Sequence, residues 1–378
     1  MLKTLLKKKI FVKTPTCVDL LIFGNTIKSF NLNKKNVYIL EDQIFIQTLA
    51  KSFYKFLLNG NLSLTNLKEI YFYETIKAIS PKVALGNEIN LNIFKFKYFF
   101  PKKKAIAYQC VQWGTILKER LKDHLKNIKY PLICDYFFVY DKESKNIFNF
   151  IKTKFIISGS VRNNEIASKK IKKKKYDIMF ISEFRDNLRV DKLKNQQGKI
   201  KKNLKLVEFL IRNSLEYQGF ILKTLDRLQR KYNLKVCIAL ASKRLEKKDN
   251  VNVLNEKKFL NKYIRKFSIE TLSSYQLAEC SKISITFMST LGKELLARNH
   301  KVMFVLFEKL KSVSKKYLPN SPGKYWYKGK DQNLLERKIL NLIKIKPIEW
   351  NHYLNKRNIG YIFDEKNKKL KNLILNLL

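Results

Sequence analysis

Apolar residues along this chain fall into two alternating rhythms. Short runs at Val37 to Leu40, Lys82 to Leu85, Ala105 to Gln109, Phe137 to Tyr140 and Phe155 to Ile157 have the length and aromatic or β-branched content of buried strands. Amphipathic stretches separate them. Leu67 to Ile79 is the clearest helix, and Ser80-Pro81 stops it because the residue before a proline is pushed out of helical geometry. This βα alternation predicts a parallel sheet covered by helices through about residue 165. The polar stretch NNEIASKKIKKKKYD then reads as a solvated linker, centred on residues 164–176.

The rhythm restarts with YDIMFIS as a strand. A long helix follows from Lys201 to Tyr232, with Val207, Leu210, Ile211, Leu215, Leu222 and Leu225 near helical spacing, and then the strand LKVCIALAS. Lys266 to Ile269 is expected as a short strand, Ser273 to Cys280 as a helix, Ile283 to Phe287 as a strand, Thr290 to Asn299 as a helix and Lys301 to Phe307 as a strand. The expected class is α/β, with two Rossmann-like doubly wound domains over 1–165 and 176–330 and a Lys/Leu-rich helical tail over 331–378.

A length of 378 residues leaves room for both domains, and 45% hydrophobic with 13% aromatic residues excludes a disordered chain. Charge is the unusual quantity: 78 Lys+Arg stand against 31 Asp+Glu, a formal net charge of +47. A nucleic acid or an anionic membrane surface would be attracted to such a field. The chain is equally crowded with Asn, Ile, Phe and Tyr, the residue set that AT-rich codons supply, and its lysines occur in every segment. Charge alone therefore identifies no partner, and no specific nucleic acid is expected.

Five cysteines, Cys17, Cys110, Cys134, Cys237 and Cys280, stand singly without C-x-x-C spacing, and three histidines, His124, His300 and His352, are isolated. Reduced thiols follow, and no metal or other cofactor is expected. The basic N-terminus has apolar stretches too short for a signal peptide, and no run approaches the ~20 residues of a membrane span. The expected location is the cytoplasm, with a basic surface suited to the inner face of the membrane.

The sharpest chemical signal is ISITFMSTLGKELLARNHKVMFV. Ser289 and Thr290 fall where a strand turns into a helix, and unpaired N–H groups there receive a phosphate well. Gly292 admits a close ligand or backbone, and Glu294, placed in the first helical turn, suits vicinal sugar hydroxyls better than phosphate. An ordinary helix cap would give the same sequence. The strand exits FIISGSVRNNE and MFISEFRDN place Gly159, Ser160, Arg162, Asn163, Ser182, Glu183 and Arg185 at carboxyl ends of strands, where open α/β sheets bind ligands.

The series AIAYQCVQWG, DYFFVYDKE, FIISGSVRNN, MFISEFRD and STLGKELLARNHKVMFV resembles bacterial surface-carbohydrate biosynthesis proteins, a group similar to GT-B type glycosyltransferases and CDP-glycerol glycerophosphotransferases. The resemblance spans roughly residues 70–307. It implies two Rossmann-like domains facing a cleft, with Ser289 and Thr290 on the donor phosphates and Glu294 near the ribose or base. Gly159, Ser160, Arg162, Asn163 and Glu183 would line the cleft. Where such proteins often read I-Q-N-G, this chain has CVQWG after Gln109, so the equivalent glutamine is Gln109 or Gln112, with Gly114 beside it.

Transfer to an acceptor needs a base and a stabilised leaving group. Glu88, after a first-domain strand, is the expected base, with Glu183 or Asp135 as alternatives. Arg185, Lys243, Ser289 and the helix start at Thr290 would receive the leaving phosphate, and Ser182 is expected to help bind the donor nucleotide. The expected function is transfer of a sugar from a nucleotide-activated donor to a surface polysaccharide or lipid-linked acceptor. A polyol-phosphate transferase of the same architecture, a basic nucleic-acid-binding protein and a nucleotide-sugar epimerase are the alternatives.

Overall fold

The computed structural model describes residues 9–24, 32, 35–41, 43–60, 63–110, 130–166, 174–184, 201–241, 251–287, 289–306, 324–356 and 362–378, with backbone alone at 9–10, 201–213 and 356. The chain forms two compact units, residues 1–166 with 362–378, and residues 167–361.

The first unit holds strands β1 (Lys9–Phe11), β2 (Leu20–Phe23), β3 (Val37–Leu40), β4 (Gln43–Phe45), β5 (Val83–Asn87), β6 (Lys104–Tyr108), β7 (Ile133–Val139) and β8 (Lys152–Ile157). Its helices are α1 (Ile46–Leu58), α2 (Leu64–Ile79), α3 (Asn92–Phe99), α4 (Lys142–Ile147) and α5 (Val161–Glu165). Six strands make one parallel sheet in the order β3-β2-β5-β6-β7-β8, while β1 and β4 pair separately. Successive residues of β2 serve opposite faces: Leu21 and Phe23 join the core with Ala84, Phe96 and Phe137, whereas Leu20 and Ile22 join Val83, Ile106 and Phe138. Burial of both faces explains why these strands read as unbroken apolar runs. No strand is expected from the sequence at Leu20–Phe23, because LLIF lies among the short, interrupted apolar stretches of the basic N-terminus; it is a fully buried inner strand.

The second unit holds β9 (Tyr176–Ile181), β10 (Val236–Ala239), β11 (Ser281–Thr286), β12 (Val302–Leu306) and β13 (Trp326–Lys328), parallel in the order β10-β9-β11-β12-β13. Its helices are α6 (Lys201–Tyr232), α7 (Val251–Asn261), α8 (Ser274–Glu279), α9 (Thr290–Ala297), α10 (Gln332–Lys344) and α11 (Pro347–Lys356). Lys266 to Ile269 is not a strand; only Ser268 bridges to Cys237, since no further register forms beyond β10 there. Both sheets are doubly wound. Strand order reverses between β2 and β5 in one and between β9 and β11 in the other, and in such sheets ligands bind beyond the carboxyl ends at that switch point.

The helices after residue 331 do not form one tail. In the second unit, Arg227 of α6 pairs with Glu336 of α10 at 2.9 Å and donates to Asn333 at 2.9 Å. Helix α12 (Lys368–Leu377) belongs to the first unit, where Leu370 and Ile374 complete the sheet core. Both helices are amphipathic, and amphipathicity does not say which sheet covers the stripe. Of the linker expected over 164–176, residues 167–173 lie outside the described residues, while Asn164 is buried and Tyr176 opens β9, so neither end is solvated linker. No helix among the described residues is long and apolar enough to cross a membrane.

Candidate functional site

The switch point of the second unit is built around a carboxylate. Glu183 follows β9 by two residues, and its Oε1 accepts from Thr286 Oγ1 at 2.7 Å and from Phe287 N at 3.0 Å, at the end of neighbouring β11. Its own N–H donates to Gln218 Oε1 on α6 at 2.8 Å. Ser182, buried, accepts from Phe184 N at 3.3 Å through Oγ. Thr286 Oγ1 in turn accepts from Ser289 N at 3.2 Å. One buried hydroxyl thus connects the carboxylate after β9 with the start of α9. Sequence reasoning missed Thr286 and Gln218; Thr286 read as one more strand residue, although a hydroxyl at a strand's carboxyl end was the available signal.

Ser289 is the N-cap of α9: its backbone is extended and its Oγ accepts from Leu291 N at 3.3 Å. Thr290 is the first helical residue, so the α9 N-terminus and its partial positive charge stand at the carboxyl end of β11. Two details of the sequence reading are corrected. Gly292 clears no room for a ligand, because a Cβ there would lie 2.8 Å from Thr286 Cγ2 and 2.9 Å from Phe304 Cε1 and Cζ; the residue lets helix and sheet close on each other. Glu294 is the fifth residue of α9, in its second turn, and its Oε2 accepts from the Tyr275 hydroxyl of α8 at 2.6 Å.

In the first unit, Glu88 follows β5 and is 1% exposed. Its Oε2 accepts from Cys110 N at 2.7 Å, beyond the end of β6. Gln109, also buried, accepts at Oε1 from Tyr140 N at 3.0 Å, beyond the end of β7. Side-chain acceptors thus tie the carboxyl ends of neighbouring strands together in both units. Asp135 lies at the opposite, amino end of this sheet, where it accepts from Ala105 N at 2.8 Å and pairs with Lys97 at 2.8 Å.

The GSVRNN segment docks the returning chain. Gly159 has φ +76°, and a Cβ there would fall 1.9 Å from Ile362 O. Ser160 caps α5 by accepting from Asn163 N at 3.3 Å, Asn163 is fully buried, and Arg162 is exposed. Asn164 donates to Ser158 O at 2.9 Å and accepts from Asp364 N at 3.0 Å, while Asn367 donates to Val161 O at 2.9 Å. Gln112, Gly114, Arg185 and Lys243 lie outside the described residues.

Burial pushes the Cys134 and Cys237 thiols up to about 12, and burial with the Glu88 carboxylate raises Cys110 too, so these three are protonated at neutral pH and poor nucleophiles. Among the described residues no three His, Cys, Asp or Glu side chains gather as a metal site would need.

No curated protein matches the sequence. Solved structures similar in chain course include UDP-GlcNAc 2-epimerase from Neisseria meningitidis bound to UDP-GlcNAc, at 13% identity and TM-score 0.47, covering 95% of this chain and 100% of that one. Anabaena HepE in complex with UDP and glucose matches at 9% identity and TM-score 0.46, covering 95% and 100%. The glycosyltransferase of kitacinnamycin matches at 8% identity and TM-score 0.44, covering 88% and 83%. The model of one family, described as "putative O-antigen biosynthesis protein", matches residues 113–377, well over half of the sequence, and the chain belongs to that family.

Proposed function

We propose that the protein is a GT-B type glycosyltransferase, moving a sugar from a nucleotide-activated donor to a lipid-linked or polysaccharide acceptor in O-antigen assembly. The observation that carries this reading is the Glu183–Thr286–Ser289 hydrogen-bond chain, which fixes the start of α9 at the switch point of the second unit. Family membership supports the biological setting.

In this reading the N–H groups of α9 and the Ser289 and Thr290 hydroxyls receive the donor phosphates, and Glu294, oriented by Tyr275, accepts from sugar hydroxyls. Arg185 and Lys243 add positive charge as the anomeric carbon–phosphate oxygen bond breaks. The acceptor hydroxyl oxygen forms the new bond and gives its proton to a carboxylate base. The residue we propose for that role is Glu88, which follows β5 and accepts from the Cys110 N–H.

Calorimetric titration with CMP, CDP, UDP, GDP and ADP tests the donor site. One nucleotide should bind wild type, and Glu294→Gln, which keeps an acceptor for Tyr275, should weaken it about ten- to a hundredfold, the worth of a charge-assisted hydrogen bond. A folded variant that binds as tightly as wild type overturns the Glu294 assignment, and a wild type that binds none of the five overturns the reading.

A further inference from the structure

Helix α1 is built inside out. Its buried positions include two hydroxyl residues, Thr48 and Ser52, at 6% and 0% exposure, with Ser52 Oγ donating to Thr48 O at 2.6 Å. Phe56 is buried on the same side, but the helix's other large apolar side chains are exposed: Ile46 is 49% exposed, Phe53 50%, Tyr54 65%, Leu57 53% and Leu58 68%. Ile46, Phe53 and Leu57 follow one helical stripe, and Val12, 65% exposed, lies beside its start, its carbonyl accepting from Gln47 N. Among the described residues, nine of the 17 exposed large apolar side chains fall between positions 11 and 64. Scattered exposed apolar residues need no explanation, but a contiguous patch does.

The charge beside this face bears on what covers it. Helix α1 contains no acidic residue and two lysines, Lys51 and Lys55. Lys51 and Lys55 both reach the Glu74 carboxylate, at 3.1 and 2.7 Å, so this trio keeps one net positive charge, and Lys13 is exposed next to Val12. A second copy of the chain docked symmetrically would bring like charges together. A phosphate-bearing lipid surface answers both features.

We propose that α1 lies in the plane of an anionic bilayer surface, with its apolar stripe among the acyl chains and with Lys13 and the net positive Lys51–Lys55–Glu74 cluster toward the phosphates. This docking is independent of the reaction proposed above. It is tested by co-sedimentation of the full chain with vesicles of phosphatidylcholine alone or mixed with phosphatidylglycerol. Wild type should sediment with the anionic vesicles, stay in solution with the neutral ones, and be released by salt. The double variant Phe53→Ser, Leu57→Ser should bind at least about tenfold more weakly with its thermal unfolding unchanged. If it does not fold, Leu58→Ser alone, at the most exposed position, should still weaken binding. The proposal is overturned if wild type ignores both vesicles, if neutral vesicles bind equally well, or if a folded stripe variant sediments like wild type. A wild-type dimer that becomes monomeric in the variant without vesicle binding also overturns it, and assigns the face to a second copy.

Discussion

Glu183 and Thr286, 103 residues apart in sequence, meet at the carboxyl ends of two adjacent parallel strands in a 2.7 Å hydrogen bond. The threonine hydroxyl is fully buried and acts in both directions, donating to the carboxylate and accepting from Ser289 N. Removal of the carboxylate leaves Thr286 Oγ1 and Phe287 N without this acceptor. Glu183→Ala should therefore destabilise the second unit by about 1.5–3 kcal/mol, and Glu183→Gln, which keeps an oxygen there, by less. Denaturant unfolding of the two variants checks the order.

Tyr275 acts on the candidate donor site through another residue. Its hydroxyl orients Glu294, so Tyr275→Phe should weaken nucleotide binding by less than Glu294→Gln does, and combining the two should add little. Titration of the single and double variants measures this coupling; full additivity would show that the hydroxyl does not act through Glu294.

Gly292 makes a packing prediction separable from binding. A methyl group there meets Thr286 and Phe304 below 3.0 Å, and Gly292→Ala should cost about 1–3 kcal/mol by pushing α9 off the sheet. A thermal melt reads it directly, and an unchanged melting temperature would mean that α9 shifts freely.

Gly159 governs the docking of residues 362–378. A side chain at φ +76° is strained, and it also strikes the Ile362 carbonyl. Gly159→Ala should loosen α12 from the first unit, so that limited proteolysis removes the C-terminal segment faster than from wild type. Equal cleavage rates would contradict this arrangement.

His300 provides a pH prediction. Burial, with Lys174 and Lys301 nearby, lowers its pKa from 6.5 to about 3, and its Nε2 lies 2.8 Å from Ser284 Oγ. The unfolded chain takes up this proton first, so the contribution is intact above about 6.5 and is lost progressively as pH falls toward about 3. His300→Gln should flatten this part of the stability profile, measured by unfolding midpoints across that range.

The apolar pattern determined the two βα units, the 201–232 helix and the strand-turn-helix at Ser289, because buried parallel strands and amphipathic helices each impose a periodicity that needs no knowledge of partners. A strand exit and a strand-to-helix turn placed Glu183 and Ser289 among the candidates from local sequence alone. What pairs with what was not legible. Glu183 reaching Thr286, Glu88 reaching Cys110 and Asn164 holding Asp364 join segments by 103, 22 and 200 residues of separation, and a hydrogen bond of that reach leaves no periodic trace. Gly292 and Gly159 show the same limit: both are readable as places of close approach, but only the packed structure decides that protein atoms, rather than a ligand, fill the space where a side chain would be. Helix α1 shows tertiary packing at work in the other direction, since the structure buries Thr48, Ser52 and Phe56 and leaves the stripe of Ile46, Phe53 and Leu57 exposed.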